Sequence, residues 1–198
     1  MKIGIDFDNT IICYDNVFAN LAKEWKLIPE DYEVTKQKLR DLIRQLPDGE
    51  TIWQKMQGKV YGELIHNAEL FDGFIDFISL CNADPTIEIY IVSHKTKKGH
   101  FTDVNLRDAA REWLLRKNLL NNDPPFILEK NIFFENTREK KIMRIKKLDC
   151  THFIDDLIEV FESPSFPNHI ERLLFQGQQP SSIKCFANWI EIKNAFFI

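Results

Sequence analysis

No stretch of this 198-residue sequence approaches the roughly 18 consecutive apolar residues of a membrane-crossing helix. Its N-terminus enters a candidate strand without the pattern of a signal peptide, so a cytoplasmic protein with no membrane partner is the expectation. Positive charge is not in excess either: 26 Lys and Arg against 30 Asp and Glu leave a net charge of -4. The whole-protein field therefore gives no reason to expect a nucleic-acid polymer, although a small phosphorylated anion remains compatible with locally concentrated positive charge. Cys13, Cys81, Cys150 and Cys185 form no C-x-x-C pair, which argues against a zinc knuckle or a disulfide framework and for reduced thiols. Repeats and low-complexity tracts are missing as well. What is there is an ordinary globular balance, 44% hydrophobic and 28% charged, in a chain long enough for one domain with a small insertion.

Strand and helix patterns alternate along most of the chain. Ile3 to Phe7 reads as a buried strand, Ile87 to Val92 as a second, rich in β-branched residues and stopping at Ser93, and Ile132 to Phe134 as a short third. His152 to Ile154 reads as a fourth, ending in Asp155-Asp156, and Leu173 to Phe175 as the last. Helical periods fall over Phe74 to Cys81, about Val104 to Lys117, Arg138 to Leu148 and Asp156 to Phe161. A polar turn, Gly177 to Ser182, then leads to a C-terminal helix carrying Trp189 and Ile192. This order predicts an α/β fold, a Rossmann-like, mainly parallel sheet flanked by helices. Between Asp15 and Leu70 the rhythm is helical instead, with Val17, Leu21 and Trp25 on one stripe and Leu39, Leu42, Ile43 and Leu46 on another. Residues 15–70 thus read as a helical insertion in a core made of 1–14 and 71–198.

Ligands bind beyond the carboxyl ends of the strands in such sheets, and here those ends carry the chemistry. Asp6 and Asp8 lie one residue apart, and if the strand runs to Phe7 they share one side of it. Crowded carboxylates call for a cation between them, for separate acid/base roles, or for both. Taken alone the pair also suits a capped turn beside a solvated acid. Four features in order raise its weight: D-x-D-x-T over Asp6 to Thr10, Ser93 at a strand end, a lysine early in a later helix, and Phe153-Ile154-Asp155-Asp156.

At those four places the sequence resembles the haloacid dehalogenase superfamily of phosphohydrolases, over residues 1–13 and about 71–161. The resemblance implies that Asp6 attacks phosphorus to form an aspartyl-phosphate and that Asp8 is the general acid/base. Asn9 stands where the family often has Gly, a mild departure because Asn tolerates left-handed backbone. Ser93 would hydrogen-bond the transferring phosphoryl group. The charge-neutralising lysine is Lys140 or Lys141, and Lys141 is favoured because it shares a helical stripe with Ile145 and Leu148. The implied metal is Mg²⁺, held by Asp6, Asp155 and the backbone of Asp8, with Asp156 orienting a metal-bound water or Lys141, or else ligating directly. Residues 15–70 occupy the slot of one class of family cap. His94, Lys95, Lys97 and Lys98 read as a solvated basic loop outside the site.

The reaction implied is hydrolysis of a small-molecule phosphate monoester. Phosphoryl transfer to another acceptor, as in a mutase, uses the same residues, and a non-catalytic module sensing a phosphorylated ligand is the alternative outside enzymes. A dehalogenase has no need of a second acid, and a receiver domain would carry its acidic pair first and its lysine last.

Overall fold

The computed structural model describes residues 1–177 and 183–197, so the turn expected over Gly177 to Ser182 lies, past Gly177, outside the described residues. In chain order the elements are β1 (Lys2–Ile5), β2 (Ile12–Cys13), α1 (Asp15–Glu24), α2 (Lys36–Ile43), α3 (Gly49–Tyr61), β3 (Glu69–Leu70), α4 (Phe74–Ala83) and β4 (Glu88–His94). They continue with α5 (Leu106–Arg116), β5 (Ile132–Glu135), α6 (Arg138–Leu148), β6 (His152–Asp155), α7 (Ile158–Phe161), β7 (Glu171–Phe175), β8 (Lys184–Phe186) and α8 (Trp189–Phe197). No helix among the described residues is long and apolar enough to cross a membrane.

The chain divides into two compact units. The first comprises Met1–Ile12, Leu70–Lys95 and the described residues from Lys117 onward. It holds a six-stranded sheet in the order β5-β4-β1-β6-β7-β8, with every neighbouring pair parallel. The short β8 follows β7, the last strand expected from the sequence; its three residues are too few for a period to stand out. On one sheet face Ile142 and Ile145 of α6 and Val160 and Phe161 of α7 cluster with Phe153 of β6. Elsewhere in this unit Trp189 of α8 is fully buried, with ring centroids 5.0 Å from both Phe74 and Phe77 of α4. Its indole N–H donates to the Thr10 carbonyl at 2.9 Å and so ties α8 to the turn that follows β1.

Gly4 in β1 is required by close packing. A Cβ there would lie 2.5 and 2.8 Å from two Phe153 ring carbons, and that ring is held near Phe161 and Phe166, each 6.4 Å away between centroids. Gly4→Ala is expected to cost about 1–3 kcal/mol by overpacking, read as a lower urea midpoint at unchanged m-value. A wild-type midpoint would show that the ring yields freely.

The second unit comprises Cys13–Glu69 and Thr96–Arg116. It therefore takes in α5 as well as α1 to α3, whereas the expected core holds residues 71–198 together. Tertiary contacts explain the placement of α5: Trp113 is buried, and its indole N–H donates to the Ala68 carbonyl at 2.9 Å. Phe18 of α1 stacks on Trp53 of α3 with centroids 4.7 Å apart, and the Lys36 ammonium of α2 lies 5.3 Å from the Tyr61 ring centre.

Candidate active site

Strand register brings two acids side by side. Gly4 pairs with Phe153 and Ile5 with Ile154, and the Asp6 N–H extends the ladder by donating to the Ile154 carbonyl at 2.9 Å. Because side chains alternate, Asp6 falls on the face of Gly4 and Asp155 on the face of Phe153, the face that α6 covers. The helix supplies the counter-charge. Lys141 Nζ lies 2.5 Å from Asp6 Oδ1 and 2.6 Å from Asp155 Oδ2.

Local sequence explains why this lysine is the one that points inward. Thr137, in extended backbone, caps α6 by accepting the Lys140 N–H at 3.2 Å, so Lys141 stands in the first turn at the carboxyl edge of the sheet. Lys141 is 2% exposed and shares its buried stripe with Ile145, whereas Lys140 is exposed. Burial works against its charge, but Asp155 and Asp6 outweigh that and hold the ammonium above the usual lysine range. Asp155 has no exposure at all. Burial pushes its carboxyl up to about 7, with Lys141 opposing the rise and Asp6 adding to it.

Asp156, partly exposed, accepts a hydrogen bond from the Asn9 amide at 3.4 Å. Asp6, Asp155 and Asp156 each offer a carboxylate oxygen within 4.8 Å of the others. An all-oxygen, anionic set of this kind suits a hard divalent cation such as Mg²⁺ better than a soft metal.

Asp8 has a different partner. The strand ends at Ile5, not at Phe7, and the chain turns back with the Ile11 and Ile12 N–H groups donating to the Phe7 carbonyl at 3.1 and 3.2 Å. Asn9 occupies the left-handed region of this turn, with φ 59°. Lys95 Nζ lies 2.9 Å from each oxygen of the Asp8 carboxylate. Lys95 is thus no part of a solvated loop: its side chain is 2% exposed, while His94, Lys97 and Lys98 are exposed. The Lys95 N–H donates to the Glu135 carbonyl at 2.9 Å, so the β4–β5 ladder runs one residue past His94 and period-two alternation turns Lys95 inward with Ser93. The sequence signal for this burial is the continued strand alternation over Ser93-His94-Lys95. Ser93 itself is 1% exposed at the end of β4. Thr10 is buried too, and its hydroxyl has no hydrogen-bond partner among the described residues.

No protein-family model matches the sequence, and no curated protein does. Solved structures do match in fold. Protein SP0104 of Streptococcus pneumoniae, a hydrolase of the haloacid dehalogenase-like family, aligns over 98% of this chain and 97% of its own at 14% identity and a TM-score of 0.61. A HAD family hydrolase of Deinococcus radiodurans with bound phosphate and sodium aligns over 98% and 94% at 10% identity and a TM-score of 0.58. YfnB of Bacillus subtilis, bound to magnesium, aligns over 100% and 98% at 16% identity and a TM-score of 0.57. This is the haloacid dehalogenase fold. Within that fold, Asp6, Ser93 and Asp155 lie at the carboxyl ends of β1, β4 and β6, three adjacent strands, and Lys141 reaches Asp6 and Asp155 from α6.

Proposed function

We propose that the protein is a Mg²⁺-dependent phosphatase of small phosphate monoesters that works through an aspartyl-phosphate. The observation that carries this reading is the buried Lys141 ammonium shared by Asp6 and Asp155, with Asp156 offering a carboxylate oxygen within 4.8 Å of one from each of those acids. With all four carboxyls ionised, Asp6, Asp8, Asp155 and Asp156 carry two more negative charges than the Lys95 and Lys141 ammonium groups offset. One divalent cation would cancel them.

The Asp6 carboxylate attacks phosphorus in line and the bond from phosphorus to the ester oxygen breaks. Asp8 gives that oxygen a proton, then takes one from the water that cleaves the acyl phosphate, returning Asp6 and releasing phosphate. The Ser93 hydroxyl donates to a phosphoryl oxygen, and the Lys141 ammonium offsets charge gathering between phosphate and Asp6. Asp6, Asp155 and Asp156, with the Asp8 backbone carbonyl, would hold Mg²⁺, which supplies charge neutralisation at the phosphoryl group when bound. Residues 15–70 serve as the cap that chooses the leaving group. The phosphate-bound and magnesium-bound relatives in fold support both the substrate class and the ion.

A panel of phosphomonoesters assayed with Mg²⁺, before and after chelation, tests this. Turnover that disappears with EDTA and returns with Mg²⁺ is expected. Wild-type rates in EDTA would overturn the metal assignment, and transfer of phosphate to a sugar or nucleoside acceptor in preference to water would convert the reading to a phosphotransferase.

A further inference from the structure

The Asp8–Lys95 pair has an unequal exposure that assigns its members different jobs. The Asp8 side chain is 20% exposed and Lys95 only 2%, so a ligand arriving at the strand edge meets the carboxylate and not the ammonium. The ammonium sits 2.9 Å from both carboxylate oxygens, which restrains rotation of the carboxylate plane as well as its position. Each end of the pair is anchored in backbone. Lys95 is held through its N–H to Glu135, and the Asp8 segment pairs with Ile12 across the turn made by Asn9. The Lys95 ammonium also lies 5.5 Å from the Phe7 ring centre, a second favourable contact for a buried cation.

Resting on the phosphatase reading above, we propose that Lys95 is a positioning residue: it acts through Asp8, holding that carboxylate where it can give a proton to the ester oxygen and take one from water. Burying a lysine is costly unless it is paired, and a carboxylate that needed only solubility would not need a buried partner. Proton transfer demands hydrogen-bond reach of the reacting oxygen, and small misplacements of a catalytic group are expensive. The consequence depends on the leaving group. An alkyl oxygen leaves poorly unless protonated, whereas 4-nitrophenolate leaves without help, so loss of Lys95 should slow the first and spare the second.

Rapid-quench single turnovers of Lys95→Met with ethyl phosphate and 4-nitrophenyl phosphate, both with Mg²⁺, test the proposal. Ethyl phosphate cleavage is expected to fall by about 30-fold or more with substrate affinity nearly unchanged, while the nitrophenolate burst stays within about threefold of wild type. Asp8→Asn should erase the difference, so that adding Lys95→Met to it changes nothing further. Equal losses on both esters, or a loss confined to affinity, overturn the proposal. If Lys95→Met fails to fold, Lys95→Arg keeps the buried charge but moves the carboxylate, and the same substrate-dependent split, smaller in size, is required. If the wild type cleaves no phosphate ester the phosphatase reading fails, and a crystal structure of the variant then decides for Lys95. Asp8 spread over several rotamers supports positioning, and a single unchanged rotamer refutes it.

Discussion

Asp6→Asn is expected to fold, to keep its contact with Lys141, and to lose turnover by a factor on the order of 10⁴, as removal of a covalent nucleophile does elsewhere. The substitution is nearly isosteric, and the amide oxygen still accepts a hydrogen bond from the ammonium that now lies 2.5 Å away. It also removes one of two carboxylates that crowd the same buried lysine, so the loss of stability is expected to stay within about 1–2 kcal/mol. What the amide cannot do is attack phosphorus. Acid-quenched protein incubated with a radiolabelled phosphate ester should carry label in the wild type and none in the variant, with kcat reduced in step. A variant that keeps a tenth of wild-type turnover would remove Asp6 from the nucleophile's role. Asp8→Asn separates the two acids, since it should still become labelled when the ester is 4-nitrophenyl phosphate.

Much of this site follows from periodicity, and what escapes it does so for a definable reason. Lys141 is singled out from Lys140 by the stripe it shares with Ile145 and Leu148, because a helix covering a sheet must bury one face; the structure has Lys141 and Ile145 buried and Lys140 exposed. The parallel sheet is legible from strands alternating with helices, and the left-handed turn at Asn9 from residue type. Lys95 is different. Its neighbours Lys97 and Lys98 make a local charge run, and its burial depends on pairing with Glu135, forty residues onward, and on an ion pair with Asp8, 87 residues earlier. Neither partner leaves a mark in the local composition. The membership of α5 is set in the same way, by Trp113 reaching the Ala68 carbonyl, and β8 is too short to show a period. Local patterns thus carry the frame, the acids at its edge and Lys141, while long-range pairing decides that Lys95 attends Asp8.

Lys141→Met is expected to be the most destabilising single change in the site, by about 3–5 kcal/mol in EDTA, because it strips two buried carboxylates of a shared counter-charge. For a chain of 198 residues that corresponds to a fall in Tm of about 10 °C. The deficit should also depend on pH. Asp155 is already pushed up to about 7, chiefly by burial, and Lys141 is the group that pulls it back down. Without the lysine its folded pKa moves higher still, away from the ordinary 3.8. An acid whose folded pKa is raised keeps its proton in the folded chain where the unfolded chain has released it. Folding stability therefore declines as pH rises from the unfolded pKa through the folded one, and the variant should be weaker at pH 8 than at pH 5.5. Mg²⁺ acts in the opposite direction. A divalent cation among Asp6, Asp155 and Asp156 replaces the missing charge, so added Mg²⁺ should raise the urea midpoint of the variant by more than that of the wild type. A variant whose midpoint matches wild type at pH 8 in EDTA would mean that Lys141 offsets no buried charge, and with it the electrostatic account of the site would fail.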